Sequence, residues 1–254
     1  MSPMSSRART LRVVLAGDST VAPYVATAYP MCGWGAHLGA ALTARVVASA
    51  PDVGPVHVVD LAKNGASTQS HREDGLWAGV LDAAGPGDVV VIQFGHNDPK
   101  HELLDPWGGY TAALDRMVAE VRALGALPVL CTPVARRHYA DGALLHTHGE
   151  YPAAVIALAE RRDVPLLDLN ARTRELSESL GEEPSRRLFT QLPAGASVLY
   201  PDGIEDNTHF TVDGAITVAE IVAAQLTPIV LRALAARGPA PDGSRSRDGA
   251  IQPR

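Results

Sequence analysis

The chain has 254 residues, of which 46% are hydrophobic and 20% charged, and its formal net charge is −6. This length and composition favour one soluble globular domain and argue against a disordered or membrane-spanning chain. The negative balance, without a basic run, argues against a nucleic-acid partner. Cys32 and Cys131 are too few for a disulfide framework or a structural zinc cluster.

The first segment, MSPMSSRARTLRVVLAG, bears on location. It contains arginines, but its apolar run is too short for the hydrophobic region of a signal peptide. We therefore expect a cytoplasmic protein without a membrane partner.

Apolar, β-branched runs recur along the chain and do not alternate with polar residues, which is typical of strands buried on both faces of a parallel sheet. Five strands are predicted, at residues 12–16, 56–61, 89–94, 127–131 and 164–169. Helical patterns lie at residues 34–48, 74–84, 109–124, 151–162, 172–180 and 213–237. Alternating strands and helices predict right-handed crossovers and a three-layer α/β/α sandwich around a five-stranded parallel sheet.

One domain is predicted over residues 1–237. The segment 238–254 is rich in glycine, proline, serine and arginine, a composition typical of disorder. Residues from Pro193 onwards, PAGASVLYPDGIED, indicate a long loop that leads to His209.

Polar groups follow four of the predicted strands. Ser19 follows the first, Asn64 the second, Asn97 the third, and residues 132–137 the fourth. Ligands of open α/β sheets bind outside the carboxyl ends of the strands. We therefore expect these groups on one rim of the sheet.

Three residues have the chemistry of acyl transfer: Ser19 in GDST, and Asp206 and His209 in DNTHF. A serine hydroxyl becomes a good nucleophile when a histidine takes its proton and a carboxylate orients that histidine. The three-residue spacing can put Asp206 and His209 on one side of a turn or helical start. Each motif alone has a simpler explanation, since Asp18, Ser19 or Asp206 could cap a helix and His209 could be a satisfied, half-buried histidine.

The third predicted strand ends in GHND, where the Asn97 side chain could donate to a developing oxyanion. The alternative is an Asx-turn that closes the strand. The presence of a nucleophile, an amide donor and a base with its carboxylate in one chain favours catalysis.

Four motifs together resemble the blocks of the SGNH (GDSL-type) hydrolases: GDST at 17–20, NGASTQS at 64–70, GHND at 95–98 and DNTHF at 206–210. With GWG at 33–35 and QFGHND, the chain looks most like the rhamnogalacturonan acetylesterases of that superfamily. The resemblance runs from about residue 13 to about 219 and implies a flavodoxin-like sandwich that needs no metal or cofactor.

The resemblance also implies roles for individual residues. Ser19 would be the nucleophile, His209 the general base and acid, and Asp206 the partner that orients the histidine. The backbone N–H of Ser19 and the side-chain amide of Asn97 would form part of the oxyanion hole.

The second block departs from the family pattern. Family members usually have a backbone donor from a glycine five residues after the asparagine, and counting from Asn64 reaches Gln69. We assign Gln69 to the oxyanion hole, because a backbone donor needs no particular side chain. A positive φ would strain glutamine there, and Gly65 is the alternative.

By the same resemblance, we expect a serine esterase that removes O-acetyl groups from carbohydrate, namely rhamnogalacturonan or its oligosaccharides, through an acyl-enzyme. One alternative is an SGNH esterase or lipase for other small acyl esters or acetylated sugars. Another is an inactive carbohydrate-binding protein with the same fold. The sequence leaves the oligomeric state open.

Several weaker signals have two explanations. His138, His146 and His148 could suggest a metal, but they lack the spacing of a metal site. Tryptophans could stack on sugars or pack in the core: Trp34, Trp77 and Trp107. Basic residues on the rim could meet galacturonate carboxylates or form an ordinary solvated surface: Arg136, Arg137, His138, Lys63, His71, Arg72 and Lys100.

Overall fold

The computed structural model of the protein describes residues 9–236. The segment 238–254, predicted to be disordered, lies outside the described residues. The strands are β1 (Arg9–Gly17), β2 (Val53–Asp60), β3 (Val89–Gln93), β4 (Leu127–Cys131), β5 (Tyr139–Ala140), β6 (Ala143–Leu144), β7 (Leu166–Leu167), β8 (Phe189–Leu192) and β9 (Ile204–Phe210). The helices are α1 (Gly35–Ser49), α2 (Thr68–Glu73), α3 (Leu76–Ala83), α4 (Gly109–Ala123), α5 (Tyr151–Arg162), α6 (Leu169–Leu180), α7 (Glu182–Ser185) and α8 (Val212–Ala236).

The main sheet has five strands in the order β2-β1-β3-β4-β7, and every neighbouring pair is parallel. This confirms the predicted α/β sandwich and its flavodoxin-like order. The strands that follow β1 in the chain lie on its two sides, β2 on one and β3 on the other. Such a reversal of strand order creates a crevice at the carboxyl ends, where ligands bind in this class of fold.

Successive residues of β1 face opposite layers of the sandwich, as the two-residue period of a strand requires. Val13 and Leu15 pack with α1, α6 and α8, whereas Val14 and Ala16 pack with α3, α4 and α5. Because both faces are covered, β1 is apolar throughout its buried length.

Two predicted boundaries were wrong in the fourth crossover. The last strand of the sheet has only two residues rather than the predicted span 164–169, and α6 begins at Leu169 rather than at 172. Asp168 explains the early start, because its carboxylate accepts a hydrogen bond from the N–H of Ala171 (3.2 Å) and caps the helix.

Helix α2 was not predicted. It is short and polar, and a reciprocal capping box defines its start: Ser67 Oγ accepts from the N–H of Ser70 (3.1 Å), and Ser70 Oγ accepts from the N–H of Ser67 (2.9 Å). Serine replaces the usual Glu or Gln at the third helical position, which hides the motif in the sequence.

The segment around DNTHF is a strand, not a helical start. β8 and β9 form a separate antiparallel ribbon, and residues 193–203 connect them, so the predicted loop ends where β9 begins at Ile204. The turn that was the other expectation is present within the strand, at Asp206.

Helix α8 is the last element of the described chain and packs against the sheet. Its length and apolar composition would suffice to cross a membrane, but half of its most apolar window is buried inside the protein. It packs along α1, as a core helix does.

Asp60, at the end of β2, is a half-buried carboxyl group with incomplete hydrogen bonding. Its Oδ1 accepts from the N–H of Ala62 (3.0 Å), whereas Oδ2 is buried and has no partner within residues 9–236. The backbone of Gly35 packs against it so closely that an added Cβ there would lie 2.2 Å from Oδ2. Burial raises the pKa of Asp60 from 3.8 to about 7.

We predict that stability falls between pH 4 and pH 7 because of Asp60. The native state holds this proton more tightly than the unfolded state, so the stabilisation is complete at the acid end and is lost as the pH rises through 7. Asp60→Asn should flatten this part of the profile, by on the order of 2 to 4 kcal/mol. Urea unfolding at pH 4, 5.5 and 7.5 measures the effect, with the exposed Asp82→Asn as control. Parallel profiles for Asp60→Asn and the wild type would contradict the assignment.

Candidate active site

Ser19, His209 and Asp206 form one chain of hydrogen bonds. The Oγ of Ser19 lies 2.9 Å from Nε2 of His209, and Nδ1 of His209 lies 2.6 Å from Oδ2 of Asp206. An ionised carboxylate only accepts, so Nδ1 carries the proton and Nε2 is left to accept from the serine hydroxyl. The structure therefore brings together the three residues that the sequence selected, across 190 positions of the chain.

Asp206 is held by the backbone as well as by the histidine. Its Oδ1 accepts from the N–H groups of Thr208 (2.7 Å) and His209 (2.8 Å), which makes an Asx-type turn inside β9. Burial favours a higher pKa, but the hydrogen bonds from the side chain and backbone of His209 outweigh it, so the pKa of Asp206 is lowered. The carboxylate stays ionised and fixes the imidazole orientation.

A buried polar network fixes the turn that carries Ser19. The Oδ1 of Asp18 accepts from both the N–H (3.0 Å) and the hydroxyl (2.8 Å) of Thr20, and Oδ2 lies 2.9 Å from Nδ1 of His96. The Thr20 hydroxyl accepts from Nε2 of Gln93 (2.6 Å), whose Oε1 accepts from Nε1 of Trp34 (3.0 Å). Despite its burial, the pKa of Asp18 is lowered, because His96 and Thr20 stabilise the charge.

Asn97 is a buried side chain with both ends of its amide engaged. Nδ2 donates to the carbonyl of Ala66 (3.0 Å), and Oδ1 accepts from Nζ of Lys100 (2.7 Å). The Asx-turn that was the alternative for GHND is not formed by the Asn97 side chain; a different bond closes this segment, in which Oδ2 of Asp98 accepts from the N–H of Gly95, three residues before it (3.0 Å). One N–H of the Asn97 amide is left for another acceptor.

The second block lies beside Asn97. Gly65 occupies the third position of a tight turn, which is closed by a hydrogen bond from the N–H of Ala66 to the carbonyl of Lys63 (3.1 Å). The φ of Gly65 is 78°, an angle that favours glycine. Gln69 lies in α2 with its side chain exposed and bonded to Glu73 (2.6 Å). Gln69 is not among the described non-glycine residues with a positive φ, so the strain that such an angle would cause is absent. Its place in the oxyanion hole stays a prediction.

Tyr24 is a neighbour of Ser19 and His209 that the sequence did not reveal. Its ring meets the His209 ring edge to face at 6.3 Å, and its hydroxyl adjoins that of Ser19. The Tyr24 oxygen is buried and makes no hydrogen bond of good geometry within residues 9–236. Burial raises its pKa. No motif distinguishes a tyrosine in the loop after GDST, so only the fold could identify it.

Arg137 has a structural role. Its guanidinium is buried and donates to Oγ of Ser185 (3.1 Å), to Oδ1 of Asn207 (3.1 Å) and to the carbonyl of Glu182. These bonds link α7 to β9 at Asn207, which lies between Asp206 and His209 in the chain. Arg137 is therefore not available to a carboxylate ligand.

Arg136 differs from its neighbour. It is half-buried, and its guanidinium donates to two backbone carbonyls, those of His96 (3.1 Å) and Thr147 (3.3 Å). Within residues 9–236 no carboxylate forms an ion pair with it. Burial lowers its pKa. Arg136 thus places a cation that has no ion-pair partner among the described residues against His96, the residue that precedes Asn97.

The other rim cations and histidines have varied environments. Lys63 pairs with Asp74 (2.5 Å) and Arg72 with Glu120 (2.7 Å), while His71 is buried against the carbonyl of Leu61 (2.8 Å). His138 is exposed. Much of the predicted basic rim therefore serves contacts within the protein.

His148 packs edge to face on His96 at 4.6 Å, and burial lowers its pKa to about 2. Across the described residues no three potential metal ligands come together, so the three histidines from residue 138 to residue 148 do not form a metal site there.

The three tryptophans differ in their exposure to solvent. Trp34 and Trp77 are buried in the core, whereas Trp107 is 53% exposed and donates to Glu150 (2.9 Å).

The model of the GDSL-like lipase/acylhydrolase family matches residues 15–215. This chain belongs to that family. The match spans all four motifs and confirms the resemblance seen in the sequence.

The chain is also similar to individual proteins whose sequence or structure is known. The chain is 41% identical over 216 residues to the rhamnogalacturonan acetylesterase RhgT of Bacillus subtilis, covering 85% of this chain and 89% of that protein. The crystal structure of YxiM from Bacillus subtilis superposes with a TM-score of 0.70 at 25% identity, over 87% of this chain and 57% of the other. The acetylxylan esterase Axe2 of Geobacillus stearothermophilus has a TM-score of 0.60 at 20% identity, over 89% and 96% of the two chains, and shows the same fold.

We predict that Asp206→Asn lowers kcat by about 10⁴-fold. The amide would present an N–H to Nδ1 of His209, so the imidazole would adopt the tautomer that cannot accept the proton of Ser19. Hydrolysis of p-nitrophenyl acetate measures the loss, and thermal unfolding checks that the fold is kept. The exposed Asp202→Asn, in the preceding loop, is the matched control. A kcat for Asp206→Asn within tenfold of the wild type would rule out this role.

Proposed function

We propose that this protein is a serine esterase that removes O-acetyl groups from carbohydrate, with rhamnogalacturonan or its oligosaccharides as substrate. The observation that carries the proposal is the continuous chain of hydrogen bonds from Asp206 through His209 to Ser19, at the carboxyl end of β1. This arrangement can activate a hydroxyl without a cofactor.

The reaction has two halves. In the first, Oγ of Ser19 attacks the acetyl carbonyl carbon while Nε2 of His209 takes the serine proton. The C–O bond to the sugar then breaks, and His209 returns the proton to the leaving sugar oxygen. In the second half Nε2 of His209 takes a proton from water as the water oxygen attacks the acetyl carbonyl carbon. The bond between that carbon and Oγ of Ser19 then breaks, His209 returns the proton to Oγ, and acetic acid is released and ionises to acetate. Asp206 stabilises the imidazolium in both halves.

The oxyanion of each tetrahedral intermediate needs donors that are already in place. Two are the backbone N–H of Ser19, which donates to no other group within the described residues, and the remaining N–H of Asn97. For the third donor the contacts favour the backbone N–H of Gly65 over that of Gln69. The Asn97 amide donates a hydrogen bond to the carbonyl of Ala66, and Ala66 directly follows Gly65 in the chain.

The sugar specificity is supported by the relatives and by one rim residue. The 41% identity to a rhamnogalacturonan acetylesterase spans most of both chains. A rhamnogalacturonan chain carries galacturonate carboxylates, and Arg136 offers a half-buried guanidinium without an ion-pair partner among the described residues. The inactive binding-protein alternative gains no support from a triad whose hydrogen bonds are complete. The cytoplasmic location, which would suit imported oligosaccharides, stays a prediction.

We predict that Ser19→Ala lowers turnover by on the order of 10⁶-fold. The hydroxyl is the only atom removed, so binding should survive while acyl transfer stops. Initial rates on p-nitrophenyl acetate give the loss, and an organophosphonate should add mass to the wild type at Ser19 alone. Ser197→Ala, in the β8–β9 connection, is the control. Retention of most esterase activity by Ser19→Ala would overturn the mechanism.

We predict that acetate is released faster from acetylated rhamnogalacturonan oligosaccharides than from acetylated xylan fragments. Arg136→Met should reduce this preference by raising KM for the acidic oligosaccharide, with little change for p-nitrophenyl acetate, which has no carboxylate. Acetate release across the three substrates measures both effects. Faster Ser19-dependent cleavage of xylan fragments or simple esters would favour the other SGNH esterase alternative.

A further inference from the structure

Lys100 holds the side-chain oxygen of Asn97. Its Nζ lies 2.7 Å from Oδ1, and the backbone N–H of Lys100 donates to the carbonyl of Asn97 (3.0 Å). Residues Asp98–Lys100 form a single 3₁₀ turn, which folds the lysine back over the residue that precedes the turn. Lys100 is exposed, whereas Asn97 is only 6% exposed.

The use of lysine at this position is unusual for the chain. The sequence contains twenty arginines but only two lysines, Lys63 and Lys100. Lys63 forms an exposed ion pair with Asp74. In contrast, the acceptor of Lys100 among the described residues is a neutral amide. A compact ammonium suits a single amide oxygen, where the planar fork of arginine is shaped for two acceptors.

The contact acts on the free N–H of the amide. An amide whose oxygen faces a cation and whose first N–H donates to Ala66 cannot rotate or exchange its ends. The cation also draws electron density from nitrogen towards oxygen, so the remaining N–H becomes a stronger donor. Hydrogen bonds linked in this way strengthen one another, more so when one partner is charged.

We propose that Lys100 is a positioning residue for catalysis: it orients and polarises the Asn97 amide so that the free N–H stabilises the oxyanion. The inference rests on the proposed function, because it assigns a purpose to the donor of that same site. It adds a charge to a hole that otherwise consists of neutral donors. The charge acts on developing negative charge in the transition state rather than on substrate in the ground state.

The test uses p-nitrophenyl acetate, a neutral probe, so that attraction between Lys100 and an acidic sugar cannot contribute. Lys100→Met keeps the length of the side chain and removes the charge. We expect kcat to fall about tenfold, with KM changed less than twofold and the melting temperature unchanged. Lys100→Arg should recover part of the loss. Arg172→Met, which breaks an exposed ion pair with Glu175, is the control for removing a surface cation.

A double-mutant cycle tests whether Lys100 acts through Asn97. Asn97→Ala alone should lower kcat by about 10²–10³-fold, and adding Lys100→Met to it should lower kcat less than twofold further. If the two losses multiply, or if Lys100→Met alone stays within twofold of the wild type, the proposal is wrong. Failure of the proposed function would look different, since the wild type would then show no activity that depends on Ser19.

Discussion

The parallel pairing of β1 with β3 is the constraint on which the site depends. Gly17 lies opposite Gln93 in this register, so the two strands end side by side. Ser19 and Asn97, which follow these strands in the chain, therefore lie on the same rim of the sheet. Both strands are covered on both faces, and a shift by one residue would exchange the sides that Val13 and Val14 face. The apolar core thus fixes where Ser19 and Asn97 lie relative to each other.

Buried polar groups complete what the strand register begins. Asp18 joins the end of β1 to His96, and Gln93 joins the end of β3 to Thr20. Each group lies where water cannot replace a lost partner, so the network strongly disfavours alternative turn conformations. Such links explain how a loop can hold Ser19 as accurately as a strand would.

The sequence allowed the sheet to be predicted because the β-branched runs at β1, β3 and β4 directly reflect burial on two faces. It also selected Ser19, Asp206 and His209, which the structure joins by hydrogen bonds, since these residue types in these motifs have a recognisable chemistry. Helix α2 was missed because its residues, such as Gln69 and Arg72, have no apolar periodicity and depend on a local capping box.

Other features depend on contacts between distant segments. Arg137 could not be assigned a structural role beforehand, because its partners Ser185 and Asn207 follow it by 48 and 70 residues. The proposal of Gly65 rather than Gln69 likewise rests on the bond from Asn97 to the carbonyl of Ala66, which the sequence does not reveal. Counting residues along a motif cannot show which amide faces a neighbouring strand.

The two-stranded ribbon that bears His209 is not part of the sheet that bears Ser19, and it joins the core through Phe189 and Phe210. Detachment of the ribbon would part the imidazole from the hydroxyl and expose these two aromatic side chains. Heat inactivation in such a molecule can precede global melting, and its reversibility would be set by how readily β8 and β9 dock again.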